Sequence, residues 1–200
     1  MISTKNINKA GPYKVFLSLL ERAEKNKQES LEAISISTYN KEACEVESRF
    51  VNLKYVIDDE WIFFSNYNSS KAKSLTQHNQ IAALLYWNKI DVQIRIKAKI
   101  AKTDEDFSNK YFSTRSLDKN TLAIFSNQSQ EIGSYEEVIS KYNKLDQSEV
   151  DKTIRPDYWG GYSFIPYYFE FWEGHKSRIN KRQAFIKDSS GIWQDKYLQP

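Results

Sequence analysis

IAALLYWNKIDVQIRIKAKI, residues 81–100, decides the fold class. Ile81 to Trp87 is the longest apolar run, and Asn88 to Asp91 are turn residues. From Val92 the chain alternates: Val92, Ile94, Ile96, Ala98 and Ile100 share one face, while Gln93, Arg95, Lys97 and Lys99 take the other. This reads as an antiparallel strand pair with one buried face. The apolar run is far too short to span a bilayer.

Working toward the N-terminus, WIFFSN at 61–66 reads as a strand that feeds a short helix opening at Asn68-Ser-Ser-Lys71, with a cap at Asn68 or Ser69. AISISTY at 33–39 alternates, Asn40 and Lys41 make a turn, and a second extended run covers Ser48 to Ile57 before Asp58 and Asp59 interrupt it. Pro12 can begin a helix, and Val15, Phe16, Leu19, Leu20 and Ala23 follow at helical spacing. Residues 1–11 are polar and aperiodic, and are read as a mobile arm.

Toward the C-terminus, Thr103-x-x-Asp106 and Ser134-x-x-Glu137 mark helices over residues 104–114 and 134–145, with a less regular helical segment between them. After the polar linker QSEVDKT at 147–153, Tyr162 to Trp172 returns to strand character. Gln183 to Lys187 and Ile192 to Leu198, joined through DSSG, form a closing hairpin. Six or seven strands without regular βαβ alternation predict an α+β chain, mainly β with peripheral helices: an antiparallel barrel in a single domain over residues 12–200.

Composition narrows the function. Of 200 residues, 40% are apolar and 14% aromatic, which excludes a disordered chain. A balance of 29 basic against 26 acidic residues gives +3, so bulk charge argues for neither a nucleic-acid nor a membrane partner. The single cysteine, Cys44, excludes an internal disulfide and a multi-cysteine metal site; it reads as a small hydrophobe in a reducing, cytoplasmic compartment. MISTKNINKAGPYK lacks the apolar stretch of a signal peptide. His78 and His175 show no ligand spacing with Cys44, so no metal site is expected. The six glycines form neither G-x-G-x-x-G nor a P-loop, which leaves side-chain cations to hold any bound phosphate.

Those cations fall into ordered motifs: Arg49-Phe-Val-Asn-Leu-Lys54, Phe64-Ser-Asn-Tyr-Asn-Ser-Ser-Lys71, Gln93 in its alternating strand, and Trp172-Glu-Gly-His-Lys-Ser-Arg178-Ile-Asn-Lys-Arg182. In order and spacing they resemble the flavin-binding motifs of the pyridoxine/pyridoxamine 5'-phosphate oxidase family, and the likeness runs from Pro12 to Pro200. The resemblance implies an FMN-binding split β-barrel acting as a homodimer. It also implies oxidation of a small phosphorylated pyridine to pyridoxal 5'-phosphate, with oxygen as acceptor.

Carried over by position, the resemblance assigns FMN contacts to Arg49, Lys54, Phe64, Ser65, Lys71, Gln93, Gln128, Ser129, Trp172 and Arg182. Substrate contacts fall on Lys54, Tyr111, Arg115, Lys119 and Arg178, with Arg178 and Asn180 at the reacting end. Trp159-Gly-Gly-Tyr162 matches a further, structural landmark. The assignment suits the chemistry, because two phosphates need several fixed cations and the arginine fork can pair two phosphate oxygens at once. The flavin ring carries the redox chemistry, so no strong protein acid or base is obligatory.

Several positions depart from the family pattern. Ser70 stands where an arginine usually flanks the phosphate-binding lysine, Lys119 replaces a serine, Asn180 a histidine, Lys181 an aspartate, and Val92 a polar residue. The arm also lacks a match to the family's substrate-covering segment. These departures bear on substrate more than on cofactor. Alternatives are a related flavoprotein with another substrate, as in phenazine biosynthesis, a flavin carrier without turnover, and, remotely, a nucleic-acid-binding module. Taken singly, the same residues also have ordinary readings as surface ion pairs, an exposed Gln93, or a core-packed Trp172. Arg49 and Lys54 are five apart, so a regular strand would send them to opposite faces; a bulge, or two faces near one rim, is expected to resolve this.

Overall fold

A computed structural model describes residues 2–146 and 150–200. The first part of the linker expected at 147–153 thus lies outside the described residues. In chain order the elements are β1 (Ser3–Lys5), α1 (Gly11–Lys25), β2 (Ala33–Asn40), β3 (Glu45–Asn52), β4 (Tyr55–Ile57), β5 (Glu60–Asn66), α2 (Ser70–Gln77), β6 (Gln80–Trp87), β7 (Val92–Lys102), α3 (Glu105–Ser113), α4 (Leu117–Phe125), α5 (Tyr135–Asp146), β8 (Trp159–Glu173), β9 (Lys181–Lys187) and β10 (Trp193–Leu198).

The strands form one sheet in the order β1-β4-β5-β8-β7-β6-β2-β3, with β9 and β10 branching from β8. β3 and β4 lie toward opposite ends of this order, yet only Leu53 and Lys54 connect them, and two residues span at most about 7 Å. The sheet must therefore curl until its ends nearly meet, which makes a barrel with an unpaired seam between β3 and β5. β8 is the spine. Its first residues pair with β5, its last with β9, and β7 runs along its other edge, with Tyr167 bulged out where the register shifts.

The alternation that decided the fold class is realised: Val92, Ile94, Ile96, Ala98 and Ile100 are all buried, facing a core of Trp61, Phe63, Trp87, Phe164 and Phe169. α1 closes one end of the barrel. Pro12 sits in its opening turn, and Phe16 packs against Trp61 with ring centroids 4.6 Å apart. Three departures from the sequence reading have local causes. Residues 3–5 of the presumed mobile arm pair in parallel with β4, and Ile2 is buried; a three-residue strand leaves no period to read. The extended run at 48–57 is two strands, not one, and with β1 included the described residues hold ten strands against the six or seven expected. Cys44 is exposed in the β2–β3 turn at φ 55° and does not pack as a small hydrophobe.

The break at Leu53–Lys54 also answers the spacing of Arg49 and Lys54. No bulge is used: Leu53 N donates to Glu32 O and Lys54 N to Ile62 O, both at 2.8 Å, so the chain crosses the seam between these residues. Gly160 and Gly161 at the start of β8 are packing glycines. A Cβ at either would collide with the Tyr67 or Thr103 side chain. Among the described residues no helix is long and apolar enough to cross a membrane.

Candidate functional site

The seam opens into a cleft of about 1260 Å³ between β3, β5, the first turn of α2 and the α3–α4 excursion. It brings together Arg49, Lys54, Phe64, Ser65, Lys71, Tyr111, Arg115, Lys119, Gln128 and Ser129 from positions spread over eighty residues of sequence.

At the sheet end, β5 runs straight into α2, and this junction fixes Lys71. Its ammonium donates to the Ser65 and Ser69 hydroxyls, both at 3.0 Å, and the residue is 6% exposed. Burial, with the Arg49 charge second, pulls Lys71 down from 10.5 to about 8. Arg49 reaches from β3: Nη1 donates to Thr38 Oγ1, Ile36 O and Glu47 O, and Nη2 to Glu47 Oε2 at 2.6 Å. The Gln128 carbonyl oxygen accepts from Asn66 N at 3.3 Å, and Asn66 Nδ2 donates to Ser126 O. Asn66 thereby ties the 126–128 segment to β5.

At the helical end, aromatic rings build a wall. Phe64 and Tyr111 stack with centroids 3.7 Å apart, and Trp159 lies nearly parallel to Phe64 at 5.4 Å. The Arg115 guanidinium sits 4.3 Å from the Trp159 ring centroid and donates from Nη2 to Lys119 O, which aligns the fork along the cleft. Its buried Nη1 has no hydrogen-bond partner among the described residues. Burial raises the Tyr111 phenol, so this group stays a neutral donor. Lys119, on α4, lines the same end.

Five expected site residues do not line the cleft. Gln93, Trp172 and Arg182 stand side by side in one row across β7, β8 and β9, and Arg178 and Asn180 lie in or beside the β8–β9 turn. Arg182 is already engaged: Nε and Nη2 hold Glu170 Oε1 at 2.9 and 2.7 Å, and Nη1 holds Gln199 O. Burial pushes the Glu170 carboxyl up, but hydrogen bonds from Arg182 and Tyr168 and the Arg95 charge outweigh it and keep the group low. Asn180 Oδ1 accepts from His175 N, closing a turn in which Arg178 takes φ 59°. Sequence reasoning missed Glu47 altogether, although its place two residues before Arg49 on one strand puts both on the same face. It also gave Trp159 only a structural part, missing the ring beneath Arg115.

The geometry has known counterparts. PhzG from Burkholderia lata, solved with tetrahydrophenazine-1-carboxylic acid, superposes with a TM-score of 0.87 at 25% identity, covering 94% of this chain and 92% of that one. A pyridoxamine 5'-phosphate oxidase-related, FMN-binding protein from Nostoc punctiforme shares the fold at a TM-score of 0.78 and 10% identity, covering 96% and 98% of the two chains. The molecule thus has the split-barrel fold of these proteins.

Sequence comparison narrows the class. Residues 22–147 match the family described as pyridoxamine 5'-phosphate oxidase, and residues 159–200 match the pyridoxine 5'-phosphate oxidase C-terminal dimerisation region. Pyridoxine/pyridoxamine 5'-phosphate oxidase 1 of Hydrogenovibrio crunogenus is 33% identical over 94% of this chain and 88% of its own. The pyridoxine/pyridoxamine 5'-phosphate oxidase of Leptospira biflexa is 33% identical over 94% and 89%. The chain belongs to the pyridoxamine 5'-phosphate oxidase family, a family of FMN-dependent oxidoreductases.

Proposed function

We propose that this protein binds FMN in the seam cleft and oxidises pyridoxamine or pyridoxine 5'-phosphate to pyridoxal 5'-phosphate. The observation that carries this reading is a pair of separated cationic ends, Arg49 with Lys71 and Arg115 with Lys119, joined by an aromatic wall in one cleft. Two phosphates in one site call for such a division. Single-ligand pockets usually measure about 300–1000 Å³, so the cleft has room for a flavin beside a small substrate. The donors fit as well: Lys71 is buried against hydroxyls alone, and Arg115 offers an unpartnered Nη1.

In this reading Lys71, Ser65, Arg49 and Gln128 hold the flavin phosphate and its ribityl chain, while Arg115, Tyr111 and Lys119 take the substrate phosphate. Held there, FMN would supply the redox chemistry, taking two electrons from the substrate and passing them to oxygen as hydrogen peroxide; the alcohol would become the aldehyde directly, and the amine would do so with water supplying the oxygen and ammonia leaving. The protein's own part is positional. The Phe64–Tyr111–Trp159 wall excludes water from one side, and the two phosphate clamps fix the distance between the reacting partners.

The row Gln93–Trp172–Arg182 and the Arg178 turn complete the site from the second subunit of a homodimer. Supporting this is their location: all but Gln93 fall within the segment that matches the dimerisation region. The single free thiol, Cys44, is compatible with work in a reducing cytoplasm.

A second reading draws support from the likeness to PhzG and from Lys119, Asn180 and Lys181: a bulkier carboxylated tricycle in place of the pyridine. The test is peroxide formation by the flavin-loaded protein with pyridoxamine 5'-phosphate, pyridoxine 5'-phosphate and a reduced phenazine carboxylate. Turnover of the phosphorylated pyridines is expected. Turnover of the phenazine alone would replace the first reading with the second, and a protein that takes up no flavin would end both.

A further inference from the structure

One side chain in the sheet end has the wrong charge for an anion site. Glu47 lines the cleft beside Arg49, Ser70 and Lys71. Its Oε2 accepts from Arg49 Nη2 at 2.6 Å and from Ser70 Oγ at 2.8 Å. One carboxylate oxygen therefore joins a β3 guanidinium to the first residue of α2. Arg49 Nη1 is meanwhile spent on Thr38, Ile36 and the Glu47 carbonyl, so Nη2 is the terminus that faces a choice of anion. The carboxylate thus holds a hydroxyl of the first turn of α2 as well as the arginine, more than an isolated ion pair would.

We propose that Glu47 is a built-in stand-in for the flavin phosphate, satisfying Arg49 and Ser70 until FMN displaces it. The proposal rests on the reading that this end of the cleft takes that phosphate. The Glu47 side chain is 37% exposed, so it can leave for solvent without opening the core. Carboxylate and phosphate compete for the same donors, and the ligand must recover what Arg49 and Ser70 lose. Glu47 thus sets how tightly this chain holds its flavin, and does so only through the phosphate. Riboflavin, which has none, does not enter the competition.

The test uses the full-length protein freed of flavin, titrated with FMN and with riboflavin while flavin fluorescence is followed. Glu47→Gln removes the charge at constant shape and should tighten FMN on the order of tenfold, the scale of one charge-assisted hydrogen bond, while leaving riboflavin unchanged. Glu47→Ala should act in the same direction. Equal tightening of both flavins, or no change in either, would overturn the proposal.

A second probe needs no flavin. Inorganic phosphate should raise the melting midpoint of Glu47→Gln more than that of the parent. Should phosphate behave so while FMN binds neither protein, the stand-in survives and the flavin reading falls; identical phosphate shifts in the two proteins would remove the stand-in itself.

Discussion

The two ends of the cleft solve the same electrostatic problem by different means. At the sheet end a titratable ammonium, Lys71, is enclosed by strand, helix turn and hydroxyls, and burial draws it down to about 8. At the helical end the cation is a guanidinium laid on the Trp159 face, with one buried nitrogen left unpartnered. Burial lowers Arg115 too, but an arginine begins so high that it stays charged throughout the working range. A buried lysine is stabilised by an incoming anion and costs stability in its absence. A stacked arginine carries its support with it. Flavin binding should accordingly be coupled to protein stability and pH, whereas substrate binding should depend on the shape of a planar fork.

The strongest way to break that contrast is Lys71→Met, a substitution of similar length without charge. FMN affinity should fall about a hundredfold, corresponding to roughly 2–3 kcal/mol of charge-assisted bonding. At pH 7 the flavin-free variant should nevertheless melt higher than its parent. The sign follows from the depressed value: the unfolded chain, at 10.5, holds the Lys71 proton more tightly than the folded one, at about 8. The resulting penalty is fully present below pH 8 and fades as pH rises through 10.5. A midpoint gain at pH 7 that shrinks toward pH 11 is expected from calorimetry. A variant that binds FMN normally would show that Lys71 is not a phosphate ligand.

At the other end, Arg115→Lys keeps the charge and discards the plane. The stack on Trp159 and the alignment by Lys119 O both depend on the guanidinium. KM for the phosphorylated substrate should rise about thirtyfold, with FMN affinity held within roughly twofold. Steady-state peroxide assays and flavin titration on one preparation separate the two. If flavin affinity fell along with KM, the division of the cleft into two anion sites would be wrong.

The pH dependence of binding sharpens the contrast without mutation. A bound phosphate favours charged Lys71, so the complex keeps its proton to higher pH than the free protein does. FMN affinity should be level between about pH 7 and 8, above the second ionisation of the phosphate, and drop about tenfold between pH 8 and 9.5, while riboflavin stays flat over the same interval. In Lys71→Met the FMN curve should flatten as well.

How much of this could be read in advance depended on range. The β7 alternation was legible because one face of an antiparallel strand is buried, and that constraint is local. β1 and β4, three residues each, carry no period, and their pairing is decided by the curl of the barrel. Arg49, Lys71 and Arg115 could be named through motif order, and the fold brings them to one cleft. Glu47 could not, because a carboxylate two residues from an arginine on a strand resembles an ordinary ion pair until Ser70 is seen to join it. Trp159 beneath Arg115 depends on how α3 returns to the start of β8, and no spacing along the chain encodes that. Gln93, Trp172 and Arg182 were each named from sequence, yet only strand register shows that they form one row away from the cleft.

The smallest expected effect is also the most discriminating for the sheet end. Ser70→Arg installs a second guanidinium at the first position of α2. With Glu47 present the new side chain has a carboxylate at hand, because Ser70 Oγ already donates to Glu47 Oε2 at 2.8 Å. The arginine should therefore be captured by Glu47, and FMN should tighten only about threefold. In the Glu47→Gln background no carboxylate competes, and the same substitution should gain more than tenfold. The double-mutant cycle thus predicts coupling between the two positions, read as a larger gain for the pair than for the sum of the single changes. Strictly additive gains would mean that Glu47 and residue 70 act on the flavin independently, and the sheet end would then differ from the helical end in charge alone.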